Sequence, residues 1–293
     1  MPTRPIPVGA QLYTLRDQLR NKKAIRKTLT QVAQIGYEYI QCSGFSFDAA
    51  WMKALCDELG LQVKLTHTPP ERILNDTENV VAEHLLLGCP YVGIGGMPGE
   101  RSADGARKFI KDYLPVTQKF QAAGLKLMYH NHSFEFERHG GERIWDILVN
   151  ESDPALLGFT LDTYWVQHGG ADVVDCIRRL AGRLDCVHYK DMAIVNGKQR
   201  FASIGSGNMN WPGIIAAFEE AGTKYAFIEQ DDCYGADPLD ELAASYKFLM
   251  GEKSYANDLT LVRQRAGYRH PGTDPADPRG HGRRARPPRP PRR

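Results

Sequence analysis

Eight short runs rich in β-branched and aromatic residues alternate along this chain with amphipathic stretches of helical period, and that alternation constrains the fold more than any other feature. The runs are VGAQLY from Val8, YEYIQC from Tyr37, LQVKLTH from Leu61, YVGIGG from Tyr91, LKLMYH from Leu125, GFTLD from Gly158, DCVHYK from Asp185 and YAFIEQ from Tyr225. Short, nearly continuous apolar runs are what parallel strands covered on both faces require. Between the first runs, Ile25, Leu29, Val32 and Ala33 share one helical face, and Met52, Leu55, Cys56 and Leu59 share another. Gly36 and Gly60 end these helices, and Gly88, Gly124, Gly182 and Gly222 repeat the pattern of helix, glycine, strand. An open doubly wound sheet would carry a Gly-rich phosphate turn after its first strand, but that turn here reads YTLRDQL. The expected fold is therefore α/β, a closed (β/α)8 TIM barrel over residues 1–258, with 259–293 as a C-terminal extension.

Charge separates the extension from the body. The 293-residue chain has 37 Lys and Arg against 35 Asp and Glu, and residues 269–293 contribute eight Arg and only two Asp. The tail thus carries +6 and the body −4, which makes the body a poor match for a phosphate backbone. No nucleic-acid partner is expected for the barrel. Seven of the 18 prolines also fall in 269–293, so that segment is expected to be disordered, either a basic arm or a non-native extension. Six scattered cysteines without a CxxC pair read as reduced thiols of a cytoplasmic protein. No apolar run approaches the roughly 18 residues of a membrane span, so no membrane partner is expected; a homo-oligomer is compatible with everything above.

In a parallel barrel the carboxyl ends of all strands open on one face, so polar groups there converge although they are far apart in sequence. The fifth run ends in YHNHSFEF, offering His130, His132 and Glu135; the sixth supplies Asp162, the seventh His188 and the eighth Glu229. Each has an ordinary explanation alone: His188 as a core histidine, Asp162 as a helix cap, Glu229 as half of an ion pair. Together those explanations must all hold at once, whereas one oxygen-rich site with an imidazole accounts for the set. Such a donor set suits a single divalent ion, Mn²⁺, Mg²⁺, Co²⁺ or Zn²⁺, and composition does not rank the four; Mn²⁺ is the working choice.

At these residues the chain resembles the xylose-isomerase-like barrel superfamily of sugar isomerases and epimerases, which includes inosose dehydratases and apurinic-site endonucleases. The resemblance runs from about Pro7 to Leu249 and rests on QLYTLRD, YHNHSFEF, LDTYW, VHYKDM, IGSGNMNWPGI and IEQDD. It implies a metal held by Glu, Asp, His and Glu on the last four strands, carried here onto Glu135, Asp162, His188 and Glu229. Many epimerases of the superfamily end the fifth strand directly in Glu, where this chain has His130. Either Glu135 folds back to complete the set or His130 is itself the ligand; Glu135 is the preferred reading.

With Glu135 as ligand, His130 is free to act as a base beside the metal. The leading reaction is isomerisation or epimerisation of a keto-sugar or related polyol through an enediolate, with Glu229 as ligand and base and His130 as its counterpart on the other face. A lyase or dehydratase on a keto-sugar, keto-glycoside or inosose follows closely, because a leaving group needs a proton donor. An abasic-site endonuclease fits less well with a −4 body. Substrate contacts are expected from His67, His132, Trp165 and Lys190, with Tyr13 as a second stacking ring. Asp191 would orient His188, and a hairpin around Asn196 and Gly197 would project Arg200 toward the mouth.

Overall fold

The computed structural model describes residues 5–265, and the described residues up to Glu252 group into one compact unit. Eight strands are β1 Val8–Gln11, β2 Tyr39–Cys42, β3 Gln62–His67, β4 Tyr91–Ile94, β5 Lys126–His130, β6 Leu157–Thr160, β7 Cys186–Tyr189 and β8 Tyr225–Ile228. They form one sheet in the order β6-β5-β4-β3-β2-β1-β8-β7, every pair parallel. The seam between β6 and β7 is held by Phe159 N–H donating to Arg183 O at 2.8 Å and His188 N–H donating to Leu161 O at 2.9 Å. An isolated parallel bridge pairs Asp162 with His188. The chain is thus the nearly closed eight-stranded barrel that the alternation predicts. Each of the six punctuating glycines has positive φ, as at Gly60 (φ 71°), which caps the helix Ala49–Leu59 and donates to Asp57 O.

Period-2 alternation along the strands builds two apolar clusters and one polar layer. Residues facing the helices, such as Ile40, Val63, Val92, Leu127, Phe159, Val187 and Ile228, belong to the larger cluster. Residues facing the barrel axis, Leu65, Tyr91, Met128, Cys186 and Phe227, form the smaller one. Two residues further on, the same inward alternation reaches the carboxyl ends at His67, His130, His188 and Glu229. A bulge keeps β3 in phase: Ile40 pairs with Val63 but Gln41 with Leu65, so Lys64 is extra and His67 turns inward.

Small residues alternate with large ones inside. A Cβ on Gly93 would sit 2.1 Å from Thr66 O and 2.9 Å from His67 Cδ2, and a backbone carbonyl cannot swing aside. Gly93→Ala is therefore expected to destabilise the barrel by about 2 kcal/mol or more, read as a lowered midpoint in urea; an unchanged midpoint would refute this packing.

Five of the six cysteines are buried thiols and Cys233 is half-buried. Among the described residues no helix is long and apolar enough to cross a membrane. The segment 269–293, expected to lack order, lies outside the described residues.

Candidate functional site

Four side chains from neighbouring strand ends meet at the top of the barrel. His130, Asp162, His188 and Glu229 each place one donor atom so that all four atoms lie within 4.8 Å of one another. That is a spread a single ion with bonds of about 2.0–2.2 Å can draw together. All four residues are buried, Asp162 and His188 completely. His188 Nδ1 lies 3.0 Å from Glu229 Oε2 and 3.6 Å from Asp162 Oδ2, and His130 Nε2 lies 3.3 Å from Asp162 Oδ2.

The expected fifth-strand ligand is not in this cluster. Glu135 sits in a 3₁₀ turn, Phe134–Phe136, and its carboxylate accepts the Tyr129 hydroxyl at 2.8 Å and the His132 backbone N–H at 2.9 Å. Five residues of chain are enough to bring a carboxylate back, but this one closes its own loop instead. Burial raises its pKa to about 7 against the lowering effect of those two hydrogen bonds. His130, the last residue of β5, points inward by strand alternation and occupies the place expected for Glu135. It is therefore a member of the cluster rather than a free base beside it.

Second contacts fix the orientation of each group. Asp162 divides its oxygens: Oδ1 caps the helix Thr163–His168 by accepting the Trp165 N–H at 3.0 Å, while Oδ2 faces the histidines. Its backbone N–H is held by Asn131 Oδ1 at 3.0 Å. Capping and clustering are thus not rival explanations of Asp162. His188 Nε2 meets Gln41 Oε1 at 2.7 Å, which assigns the proton to Nε2 and turns the Nδ1 lone pair toward two carboxylates. Buried Nδ1 has no aligned hydrogen-bond partner, and a lone pair facing carboxylates is repulsive unless a cation lies between them. Burial works against charging His188, but Glu229 and Asp162 outweigh it and raise its pKa to about 9. His130 is lowered, by burial first and then by the positive charge on His188.

Gln41→Leu removes the orienting acceptor at nearly constant volume. Outer partners of this kind typically set metal affinity by about 10- to 100-fold. A loss in that range is the expected result in a competition titration, with Gln41→Glu retaining most of the affinity; equal affinities for all three proteins would refute the role.

Lys190 is 1 % exposed and lies among three carboxylates: Glu229 Oε2 at 3.0 Å, Asp162 Oδ2 at 3.3 Å and Asp231 Oδ1 at 2.9 Å. Burial opposes its charge, yet those neighbours hold its pKa well above the usual lysine range. Its ammonium faces the rings of Trp165 at 5.4 Å and Phe201 at 5.2 Å. His67 lies beside His130 and His188, with ring centroids 5.2 and 5.6 Å away, and its Nδ1 meets Ser43 Oγ at 3.2 Å. His132 packs edge-on to His130 at 4.7 Å and against Trp165 at 5.3 Å. His67, His132, Trp165 and Lys190 are therefore all brought to the cluster.

Three expectations place residues differently. The hairpin Asp191–Val195 with Lys198–Ala202 forms as predicted, with φ of 52° at Asn196 and 74° at Gly197, as a type I′ turn requires. Arg200, however, lays its guanidinium on the Tyr234 ring at 4.5 Å, and the hairpin residue that reaches Lys190 and Trp165 is Phe201. Asp191 does not touch His188; its Oδ2 binds Gly205 N–H, Gly207 N–H and Trp211 Nε1, so it anchors the following loop. Tyr13 stacks under Arg16 at 4.3 Å. Gln41 and Phe201 carry no motif signal, although Gln41 follows the inward residue Tyr39 by the strand period; Asp231 lies within IEQDD without an expected role of its own.

A family model described as xylose isomerase-like TIM barrel matches residues 29–250, and the chain belongs to that family. It is 26 % identical to an inosose dehydratase of Geobacillus kaustophilus (strain HTA426) over 191 residues, 57 % of this chain and 61 % of that protein. It is 34 % identical over 85 residues to a probable endonuclease 4 of Mycobacterium tuberculosis (strain ATCC 25177 / H37Ra), 27 % of this chain and 32 % of that one. The chain thus spans about a third of the length of the endonuclease relatives it matches. The crystal structure of a sugar phosphate isomerase/epimerase from Parabacteroides distasonis ATCC 8503 superimposes with a TM-score of 0.71 at 23 % identity, covering 84 % of this chain and 94 % of that one. These relatives are enzymes of differing reaction class.

Proposed function

We propose that this protein is a divalent-metal-dependent enzyme that removes the proton next to the carbonyl of a keto-sugar or related polyol, in isomerisation or epimerisation through an enediolate. The observation that carries the reading is the buried His130, Asp162, His188 and Glu229 cluster at the carboxyl ends of the barrel strands. Two imidazoles beside two carboxylates suit Mn²⁺, Co²⁺ or Zn²⁺ better than Mg²⁺, which prefers an all-oxygen shell. When bound, the ion polarises the substrate carbonyl and acidifies the adjacent C–H. Glu229 is the base: its Oε2 is the oxygen that His188 and Lys190 meet, which leaves Oε1 for the substrate proton. Lys190, fixed by three carboxylates, stabilises negative charge developing on the substrate oxygen.

A second reading, elimination of a β-substituent, is favoured by the imidazoles of His67, His130 and His132 packed on one side of the cluster. In particular His132 Nδ1, buried beside His130 with no hydrogen-bond partner among the described residues, can hydrogen-bond a departing oxygen. With a pKa lowered to about 3 by burial and by His130, the neutral ring offers that oxygen a hydrogen bond rather than a proton. Nucleic acid is not a partner in this proposal, since the body carries −4.

The test is solvent exchange. In D₂O, the manganese-loaded protein is expected to place deuterium on the carbon next to the carbonyl of its keto-sugar, and a chelator is expected to stop this until metal is restored. Recovery of a C-epimer or aldose identifies isomerisation, and loss of water or an alcohol identifies elimination. Undiminished turnover by the chelated protein would overturn the proposal.

A further inference from the structure

Lys190 and the metal cluster draw on the same two oxygens. Glu229 Oε2 lies 3.0 Å from both His188 Nδ1 and Lys190 Nζ, and Asp162 Oδ2, which faces both histidines, lies 3.3 Å from Lys190 Nζ. An ion held by those oxygens at about 2.0–2.2 Å and an ammonium hydrogen-bonded to them would be like charges crowded into a buried site. The ammonium therefore needs another acceptor. Lys190 is 1 % exposed and lies under the rings of Trp165 and Phe201, so water does not replace a contact it gives up. An unpaired buried ammonium is costly.

Asp231 is that acceptor. Its Oδ1 lies 2.9 Å from Lys190 Nζ, the shortest of the three contacts, and Asp231 stands outside the four-residue cluster. The Lys190 backbone is fixed separately: its N–H donates to Thr163 Oγ1 at 3.0 Å, and the Thr163 hydroxyl donates to Lys190 O at 2.8 Å. Only the side chain is left to pivot between the cluster and Asp231.

The turn after β1 holds Asp231 in turn. Gln230 N–H donates to Thr14 Oγ1 at 3.0 Å and Arg16 Nη2 donates to Asp231 O at 2.8 Å, while Arg16 Nη1 donates to Tyr13 O at 2.9 Å. Thr14 and Arg16 belong to QLYTLRD, and residues 230 and 231 to IEQDD. These two motifs, at opposite ends of the barrel sequence, follow the paired strands β1 and β8 and meet just beyond Glu229. Their contact fixes the backbone from which Asp231 reaches Lys190.

We infer that Asp231, held by Thr14 and Arg16, is a positioning residue that draws the Lys190 ammonium off Glu229 Oε2 and Asp162 Oδ2 and so leaves those oxygens to the metal. The inference rests on the metal reading above. It is tested by competition titration of manganese on the full chain, unmodified and as Lys190→Met, Asp231→Asn and the double variant. Lys190→Met is expected to bind manganese at least about tenfold more tightly, because a competing cation is gone. Asp231→Asn is expected to weaken binding at least about tenfold with Lys190 present, and by a factor at least about threefold smaller in the Lys190→Met background. Charges that stay in place act on an ion independently, so a carboxylate with no hold on Lys190 would cost the same in both backgrounds. Arg16→Met gives a second reading without altering a buried charge. Loss of a cation would by itself tighten manganese, whereas release of Asp231 is expected to weaken it about threefold. Equal losses for Asp231→Asn in the two backgrounds, no gain in Lys190→Met, or unchanged or tighter binding in Arg16→Met would overturn the inference while the metal reading stands. Absence of manganese binding by the unmodified chain would overturn both.

Discussion

Glu229→Gln is expected to reduce substrate deuterium exchange by about 10²- to 10⁴-fold, the usual cost of losing a positioned base, while the protein still folds and still binds metal with lowered affinity. The substitution keeps the side-chain volume and one coordinating oxygen but replaces the basic oxygen with an amide N–H₂. The remaining oxygen stays opposite Lys190, whose ammonium now lies 3.0 Å from Glu229 Oε2, but the negative charge of the side chain is lost, so some loss of metal affinity accompanies the loss of chemistry. The two readouts should differ in size, with exchange falling far more than binding. Exchange within tenfold of the unmodified protein would remove Glu229 from the proton transfer.

The pair His130→Asn and Glu135→Gln decides the fifth-strand ligand. With His130 in the cluster, His130→Asn is expected to weaken metal binding by more than about 100-fold, a larger loss than changes to outer partners usually cause. Glu135→Gln should leave metal affinity within about threefold, because its carboxylate is engaged with Tyr129 and the His132 backbone, and a glutamine oxygen retains one of those contacts. Its effect should appear instead as lower thermal stability and slower turnover, through a loosened His132 loop. The opposite ranking of metal affinities would restore Glu135 as the ligand.

Sequence period and chemistry together made most of this site readable. The interval from Met128 to His130, from Cys186 to His188 and from Phe227 to Glu229 is the strand period, so an inward apolar residue announces an inward polar one two positions on. Applied to Tyr39, the same rule reaches Gln41, a residue without a motif but with a direct hold on His188. Asp162 was legible from its place after an apolar run, although a single residue both caps a helix and faces the metal cluster only because its two oxygens point different ways.

What the sequence by itself determined is the alternation of strand and helix, the glycine stops, the Asn196-Gly197 hairpin and the strand ends at which chemistry must gather, because each follows from local backbone preference and side-chain period. What only the tertiary structure decided is which of two nearby groups a loop delivers. Glu135 turns back to Tyr129, Arg200 settles on Tyr234, and Asp191 reaches Gly205, Gly207 and Trp211. The bulge at Lys64 likewise turns His67 inward through a register shift against β2. These outcomes depend on partners far along the chain, whose position is set by closure of the barrel and not by the residues on either side.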